Sequence, residues 1–122
     1  MSEIIVLDTH IWLWFINANF EQFPADWRDR IELADRVGVS PLSCYEIAFA
    51  QKRGRLALLC SAQEWFQGAL TPAGIELFPL TSKIAARSVD LSPVHKDPFD
   101  RLIIATALEY GANLASMDGL FS

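Results

Sequence analysis

The sequence predicts an α/β fold in which a short parallel sheet is covered by helices on both faces. Three observations lead there. Brief apolar or β-branched runs alternate with segments of helical period along the chain, as parallel strands and their crossover helices require. The first such run, "EIIVLD", is apolar over successive positions and ends in an acid, the pattern of a strand buried on both faces. Finally, 122 residues with neither internal repeat nor linker are expected to form one domain, residues 1–122, large enough to bury a core without staples.

"EIIVLD" sets Asp8 at the carboxyl end of its strand, and "THIWLWFIN" continues as a helix with Trp12 and Phe15 or Ile16 on neighbouring faces. These aromatics read as core or dimer surface rather than as a ligand platform. Pro24 opens a second helix, and Trp27, Ile31 and Ala34 keep helical spacing before "VGVS" supplies a second strand. "PLSCYEIAFAQKRGRL" is a helix with Gly54 near its end, where Lys52, Arg53 and Arg55 suit the negative end of the helix dipole. "SAQEWFQGAL" carries a serine cap and a helical pattern, and "GIELFPL" reads as a third strand stopped at Pro79 or just after it. "TSKIAARSVDL" is a short helix and "SPVHK" an irregular link. "DPFDRLIIATALEYG" has the clearest helix signals, with Pro98 at its start and Gly111 after its last turn, and "NLASMD" closes the series as a strand ending in Asp118.

Composition narrows the classes. Hydrophobic residues make up 52% of the chain, which excludes a disordered segment. No apolar run approaches the roughly 20 residues of a membrane helix, and the N-terminal stretch lacks a basic leader and carries an acid, so a mature cytoplasmic protein without membrane attachment is expected. Cys44 and Cys60 have no ligand-like spacing and read as buried free thiols of a reducing compartment. A net charge of -5 argues against generic nucleic-acid binding, unless clustered acids hold cations that reverse the local field.

The acids then have to be weighed singly. Asp8 could simply cap the helix after its strand. Glu46, three residues after Ser43 in "SCYE", fits a capping box; alternatively Ser40 caps a helix that Pro41 begins. Asp97 suits an N-cap with Pro98 next, Asp100 suits the first turn, and Asp118 before Gly119 suits a turn. Taken together they say more. In an α/β sheet, strand ends and helix starts share one rim, and sites form outside the carboxyl ends of the strands. Carboxylates crowded there would repel one another and take up protons unless hard divalent ions neutralised them. With no histidine and cysteine set around them, the acids imply Mg²⁺ or Mn²⁺ rather than zinc. Two such ions can activate water and steady the leaving oxygen of a phosphodiester.

The stretches "VLDTHIWLW", "SPLSCYEIA", "HKDPFDRLIIATAL" and "LASMD" stand in the order and approximate spacing of PIN-domain ribonucleases, and the chain resembles the VapC-type toxins of bacterial toxin-antitoxin pairs from residue 4 to about 121. The resemblance implies a PIN-like three-layer fold with a parallel sheet of about four strands. It implies that Asp8, Glu46, Asp100 and Asp118 are the catalytic acids and hold the metal, with Asp97 as an additional ligand, directly or through water. Thr9, Ser43 and Ser116 stand where the family places hydroxyls that orient carboxylates or water. Lys96 and Arg101 flank the acids as phosphate contacts, with His95 as a further substrate contact; solvated surface is the alternative for Lys96. The family usually continues past its last acid into another edge strand, whereas this sequence stops at "GLFS", so either that strand is absent or the sequence ends early.

What the resemblance implies for function is hydrolysis of RNA by a Mg²⁺- or Mn²⁺-dependent endoribonuclease, toxicity, inhibition by a small antitoxin, and pairing into homodimers. A catalytically silent PIN-like module that binds RNA or protein is the alternative. A receiver or phosphatase-like domain fits less well, because "LDTH" lacks the second aspartate that the phosphatase pattern requires. The motifs do not disclose which RNA is cut.

Overall fold

A computed structural model describes residues 2–24, 26–92, 97–116 and 119–121, the last three as backbone only. Its sheet has five strands, in the order β3-β2-β1-β4-β5. Strands β1 (Ile4–Leu7), β2 (Arg36–Val39), β3 (Glu76–Leu77) and β4 (Asn113–Ser116) are parallel, in agreement with the expected four. The short edge strand β5 (Gly119–Phe121) runs antiparallel to β4, pairing Leu114 with Phe121 and Ser116 with Gly119. An edge strand therefore follows β4 within the final "GLFS", which corrects the expectation that it is absent or lost to an early end.

Helices α1 (Thr9–Ile16), α2 (Trp27–Leu33), α3 (Pro41–Lys52), α4 (Ala62–Ala69), α5 (Ser82–Val89) and α6 (Pro98–Glu109) fall where their punctuation put them. Side-chain oxygens of Asp8, Ser40, Ser61, Thr81 and Asp97 each accept a backbone N–H of the first turn they cap. The Ser61 hydroxyl also donates to the Glu64 carboxylate at 3.1 Å. Helix α2 starts three residues after Pro24, whose carbonyl accepts the Trp27 N–H. Single 3-10 turns at Phe20–Gln22 and Thr71–Ala73 were not anticipated. Strand β3 is only two residues long, since Pro79 has no N–H for a ladder.

Alternation along the strands divides the core in two. Ile5 and Leu7 of β1, with Val37 and Val39 of β2, pack against α1, α2 and α3 through Trp12, Ile31 and Ile47. Val6 and Leu114 point to the opposite face and meet Ile103 and Ala107 of α6, with Phe78 beside them. Helix α5 lies against α6, to which Lys83 and Arg87 are tied by ion pairs with Glu109. The result is the helix–sheet–helix layering expected. Among the described residues no helix is long and apolar enough to cross a membrane.

Gly38 is required by close approach. A Cβ there would stand 2.6 Å from the Phe78 ring, which is buried and stacked on Tyr110 at 4.3 Å between centroids. Gly38→Ala is expected to destabilise the fold by about 1–3 kcal/mol as the ring is displaced. A urea midpoint equal to that of the parent would contradict the packing.

Arginines hold three carboxyls below the ordinary value of 4.5: Arg30 acts on Glu3, Arg36 on Glu76, and Arg87 on Glu109. Depressed folded-state values mean that stability is present above the ordinary value and is lost as pH falls through the lower folded values. The pairs are exposed or nearly so, so the effect is small. The melting temperature should decline gently between about pH 5 and pH 3, and less so in high salt. A flat profile would remove these pairs from the account.

Candidate functional site

The chain builds β1, β2 and β3 outward in one direction and then crosses to β4 on the other side of β1. Helices α1 to α3 cover one face and α6 the other, so β1 and β4 flank a switch point, where a crevice opens beyond the carboxyl ends of the strands. Asp8 enters this crevice directly after β1. Its N–H donates to the Ala115 carbonyl of β4 at 2.9 Å, and its Oδ1 caps α1 by accepting the Ile11 N–H at 2.9 Å. Capping and site placement are thus the same placement, because capping takes one carboxylate oxygen.

Glu46 arrives from the neighbouring helix. Ser40 rather than Ser43 caps α3, its Oγ accepting the Leu42 N–H at 3.1 Å, which leaves Glu46 inside the helix and out of any capping box. Its partner is Thr9 on α1. Thr9 Oγ1 lies 2.7 Å from Glu46 Oε1 and 2.9 Å from the buried Ser43 Oγ. A threonine has one hydroxyl proton, so it donates to the carboxylate and the Ser43 hydroxyl completes the chain. Burial pushes the Glu46 carboxyl up, the charges of Asp100 and Asp97 add to that, and Thr9 and His10 oppose it.

Asp97 and Asp100 come from the opposite layer, at the start of α6. Asp97 Oδ1 accepts the Phe99 N–H at 2.9 Å, and Asp100 sits in the first turn. Ser116 is buried at the end of β4, next to the residue that binds the Asp8 N–H. Asp118, His95 and Lys96 lie outside the described residues. Arg101 turns to a different task. Its Nε donates to Ser88 O, one terminal nitrogen to Ser92 O, and the other to Val89 O and Leu91 O, all within 2.9–3.1 Å. Four of its five N–H groups are spent on carbonyls following or ending α5, so it braces the start of α6 rather than facing the Thr9–Glu46 pair.

A cleft of about 820 Å³ opens beside this constellation, with Thr9, His10 and Glu46 at one end and Arg53 and Arg55 also in its lining. Tyr45, Phe49 and Phe99 line it too. The sequence reading passed over these aromatics, although Tyr45, Phe49 and Arg53 already stood four residues apart on one helix. Among the described residues no three Asp, Glu, His or Cys side chains form a metal-ligating group by themselves. The donor chemistry nonetheless fits a hard divalent ion: the carboxylates of Asp97 and Asp100 act against that of Glu46, and carboxylate and hydroxyl oxygens are drawn from separate elements. Both cysteines are free and half-buried, and burial pushes the Cys44 thiol up, away from the ligating thiolate.

Comparison with known proteins identifies the family and the fold. The PIN domain family profile matches residues 5–122. Ribonuclease VapC22 of Mycobacterium tuberculosis is 31% identical over 115 residues, covering 93% of this chain and 86% of that protein. Two solved structures share the fold at 19% identity. A VapBC2 complex of Rickettsia felis, bound to a DNA fragment from its promoter, superposes with a TM-score of 0.62 over 91% of this chain and 85% of its own. A toxin-antitoxin complex from Klebsiella pneumoniae does so at 0.57, over 90% and 82%. On the profile match and the VapC relative together, the chain belongs to the PIN-domain family, among its VapC-type members.

Proposed function

We propose that this protein is a divalent-metal-dependent endoribonuclease, the toxin of a toxin-antitoxin pair, working as a single PIN-like domain over residues 1–122. The observation that carries the reading is the Thr9 hydroxyl, which joins the helix start at Asp8 to Glu46 while Asp97 and Asp100 press their charge on the same carboxyl. A domain that only binds has no physical use for mutually repelling acids.

Asp8, Glu46, Asp100 and Asp118 would hold the metal and serve catalysis, with Asp97 as an additional ligand. When bound, Mg²⁺ or Mn²⁺ would supply an activated water and neutralise charge on the phosphodiester. The chain's own part is positional. Asp8 is locked by α1 capping and by β4, Thr9 aims Glu46, and Ser43 and Ser116 hold their neighbours from buried positions. Substrate contacts from His95 and Lys96 belong to the same proposal, whereas Arg101 acts as a brace. The toxin-antitoxin complexes that share the fold support a small antitoxin protein as partner, and a homodimer and a cytoplasmic setting belong to the same proposal.

Asp8→Asn tests the assignment, because asparagine caps a helix as well as aspartate and should leave the fold intact. On total cellular RNA with Mn²⁺, the variant is expected to cut at least about tenfold more slowly than the parent, whose products carry 5′-phosphate and 3′-hydroxyl ends. Mn²⁺ at roughly 100 times its Kd should also stabilise the parent by about 2.7 kcal/mol. Equal cleavage by both proteins would refute the role of Asp8; no stabilisation would favour the binding-only module.

A further inference from the structure

The cleft beside Glu46 carries a surface that the catalytic acids do not use. Tyr45, Phe49 and Arg53 occupy every fourth position along α3, forming a stripe about 12 Å long that starts next to Glu46. Tyr45 is 54% exposed and Phe49 44%, yet their rings are ordered against each other, 5.7 Å apart and 18° from parallel. Phe99, one residue before Asp100, meets Tyr45 edge-on at 5.5 Å and 87°. The guanidinium of Arg53 sits 4.6 Å above the Phe49 ring. His10 and Trp14 of α1 are also in the cleft lining.

We propose that the Tyr45–Phe49 stripe, ended by Arg53, is a base-stacking subsite that receives an unpaired base of single-stranded RNA next to the scissile phosphate. The inference rests on the nuclease reading and adds to it the side chains that would hold a base. Sequence-selective proteins take RNA bases from loops and ends, where they are unstacked and can lie on aromatic rings or guanidinium planes. Bases within a duplex are stacked and paired, and cannot do so. The ends of the stripe carry opposite chemistry. At Glu46 the acids suit a phosphate only with cations between them, and at the other end Arg53 and Arg55 suit a phosphate directly. A strand laid along α3 would thus set one phosphate at the acids, a base on Tyr45 and a further phosphate at the arginines. The cleft also holds Leu13, Trp14, Ile47, Ala50 and Leu56, but the stripe itself is aromatic and ended by Arg53, which suits a base and its phosphate better than an apolar helix.

The test uses a short single-stranded oligoribonucleotide containing 2-aminopurine, whose fluorescence is quenched by stacking, with Ca²⁺ in place of Mg²⁺ or Mn²⁺ so that the acids are neutralised and the strand is bound and not cut. The parent is expected to quench it, and the duplex of the same sequence is not. Tyr45→Ala should bind the single strand about five- to a hundredfold more weakly, with Tyr45→Trp near the parent. With Mn²⁺ added, Tyr45→Ala should raise KM and leave kcat within about threefold. Both side chains are half-exposed, so a parent-like melt is expected for each variant. Parent-like binding and KM in both Tyr45→Ala and Phe49→Ala would overturn the subsite while leaving the nuclease standing. A dimer that falls to monomer in Tyr45→Ala with RNA affinity unchanged would also overturn it, assigning the stripe to a protein interface. Tyr45-dependent quenching by a parent that cuts no RNA would uphold the subsite and remove the nuclease reading instead.

Discussion

Trp12→Ala is expected to lower the unfolding free energy by about 3–5 kcal/mol, the largest single loss in the fold. The indole is completely buried. It stands edge-on to Trp65 at 5.0 Å and stacks on Phe66 at 6.0 Å, both from α4, and its Nε1–H donates to the Ala69 carbonyl at 3.0 Å. Alanine would leave a cavity between α1 and α4 and strip that carbonyl of its donor. Domains of this size are stable by roughly 5–15 kcal/mol in all, so much of the margin would go. Trp12→Phe keeps most of the contact area and loses the hydrogen bond, and should fall between the two. In urea, the midpoint should drop with the slope unchanged. A loss under about 1 kcal/mol would mean that the packing of α1 on α4 is not what holds this layer.

That layer also bears on what could be read in advance. The framework was legible because strand runs, caps and breakers agreed locally: Pro41 after Ser40 and Pro98 after Asp97 marked helix starts that the structure keeps. Where two local readings competed, only three-dimensional neighbours could choose. Ser43 precedes Glu46 at capping-box distance while Ser40 precedes Pro41, and the structure caps with Ser40 and pairs Ser43 with Thr9, 34 residues away in sequence. The site acids were legible as positions on one rim. Their coupling was not, because the charges that act on Glu46 come from α6, beyond the sheet's crossover.

The carbonyl contacts of Arg101 and the exposure of the aromatic stripe were hidden from the sequence for opposite reasons. Next to Asp100, an arginine reads as a phosphate ligand, but the end of α5 offers carbonyls that a guanidinium fork satisfies better than solvent would. Tyr45 and Phe49 sit in a helix with apolar neighbours, and nothing local marks them as exposed; that depends on Ile47 and Ser43 being the residues that α3 buries. Periodicity identifies a face, and the packing decides which face is covered.

Glu46→Ala is expected to reduce RNA cleavage on the order of 10²–10³-fold, the scale on which a preorganised charge in an active site acts. Stability should move little or in the opposite direction, since the side chain is a half-buried carboxylate facing Asp97 and Asp100. Alanine removes that repulsion, forfeits one hydrogen bond from Thr9, and suits a helix interior. Glu46→Gln separates charge from shape, because the amide keeps an oxygen for Thr9 while carrying no charge. If the charge is what matters, Gln should be nearly as inactive as Ala and melt at or above the parent temperature. If Glu46 serves only to hold α1 against α3 through Thr9, Gln should instead cut RNA like the parent, and Ala should lose stability and activity together. Thr9→Val completes the argument. It removes the hydroxyl at nearly constant volume and should slow cleavage by about 10–100-fold, as befits a group that orients a ligand without touching substrate. Active Thr9→Val beside inactive Glu46→Gln would show that Glu46 needs no aiming, and the bridge between the two helices would then be structural alone.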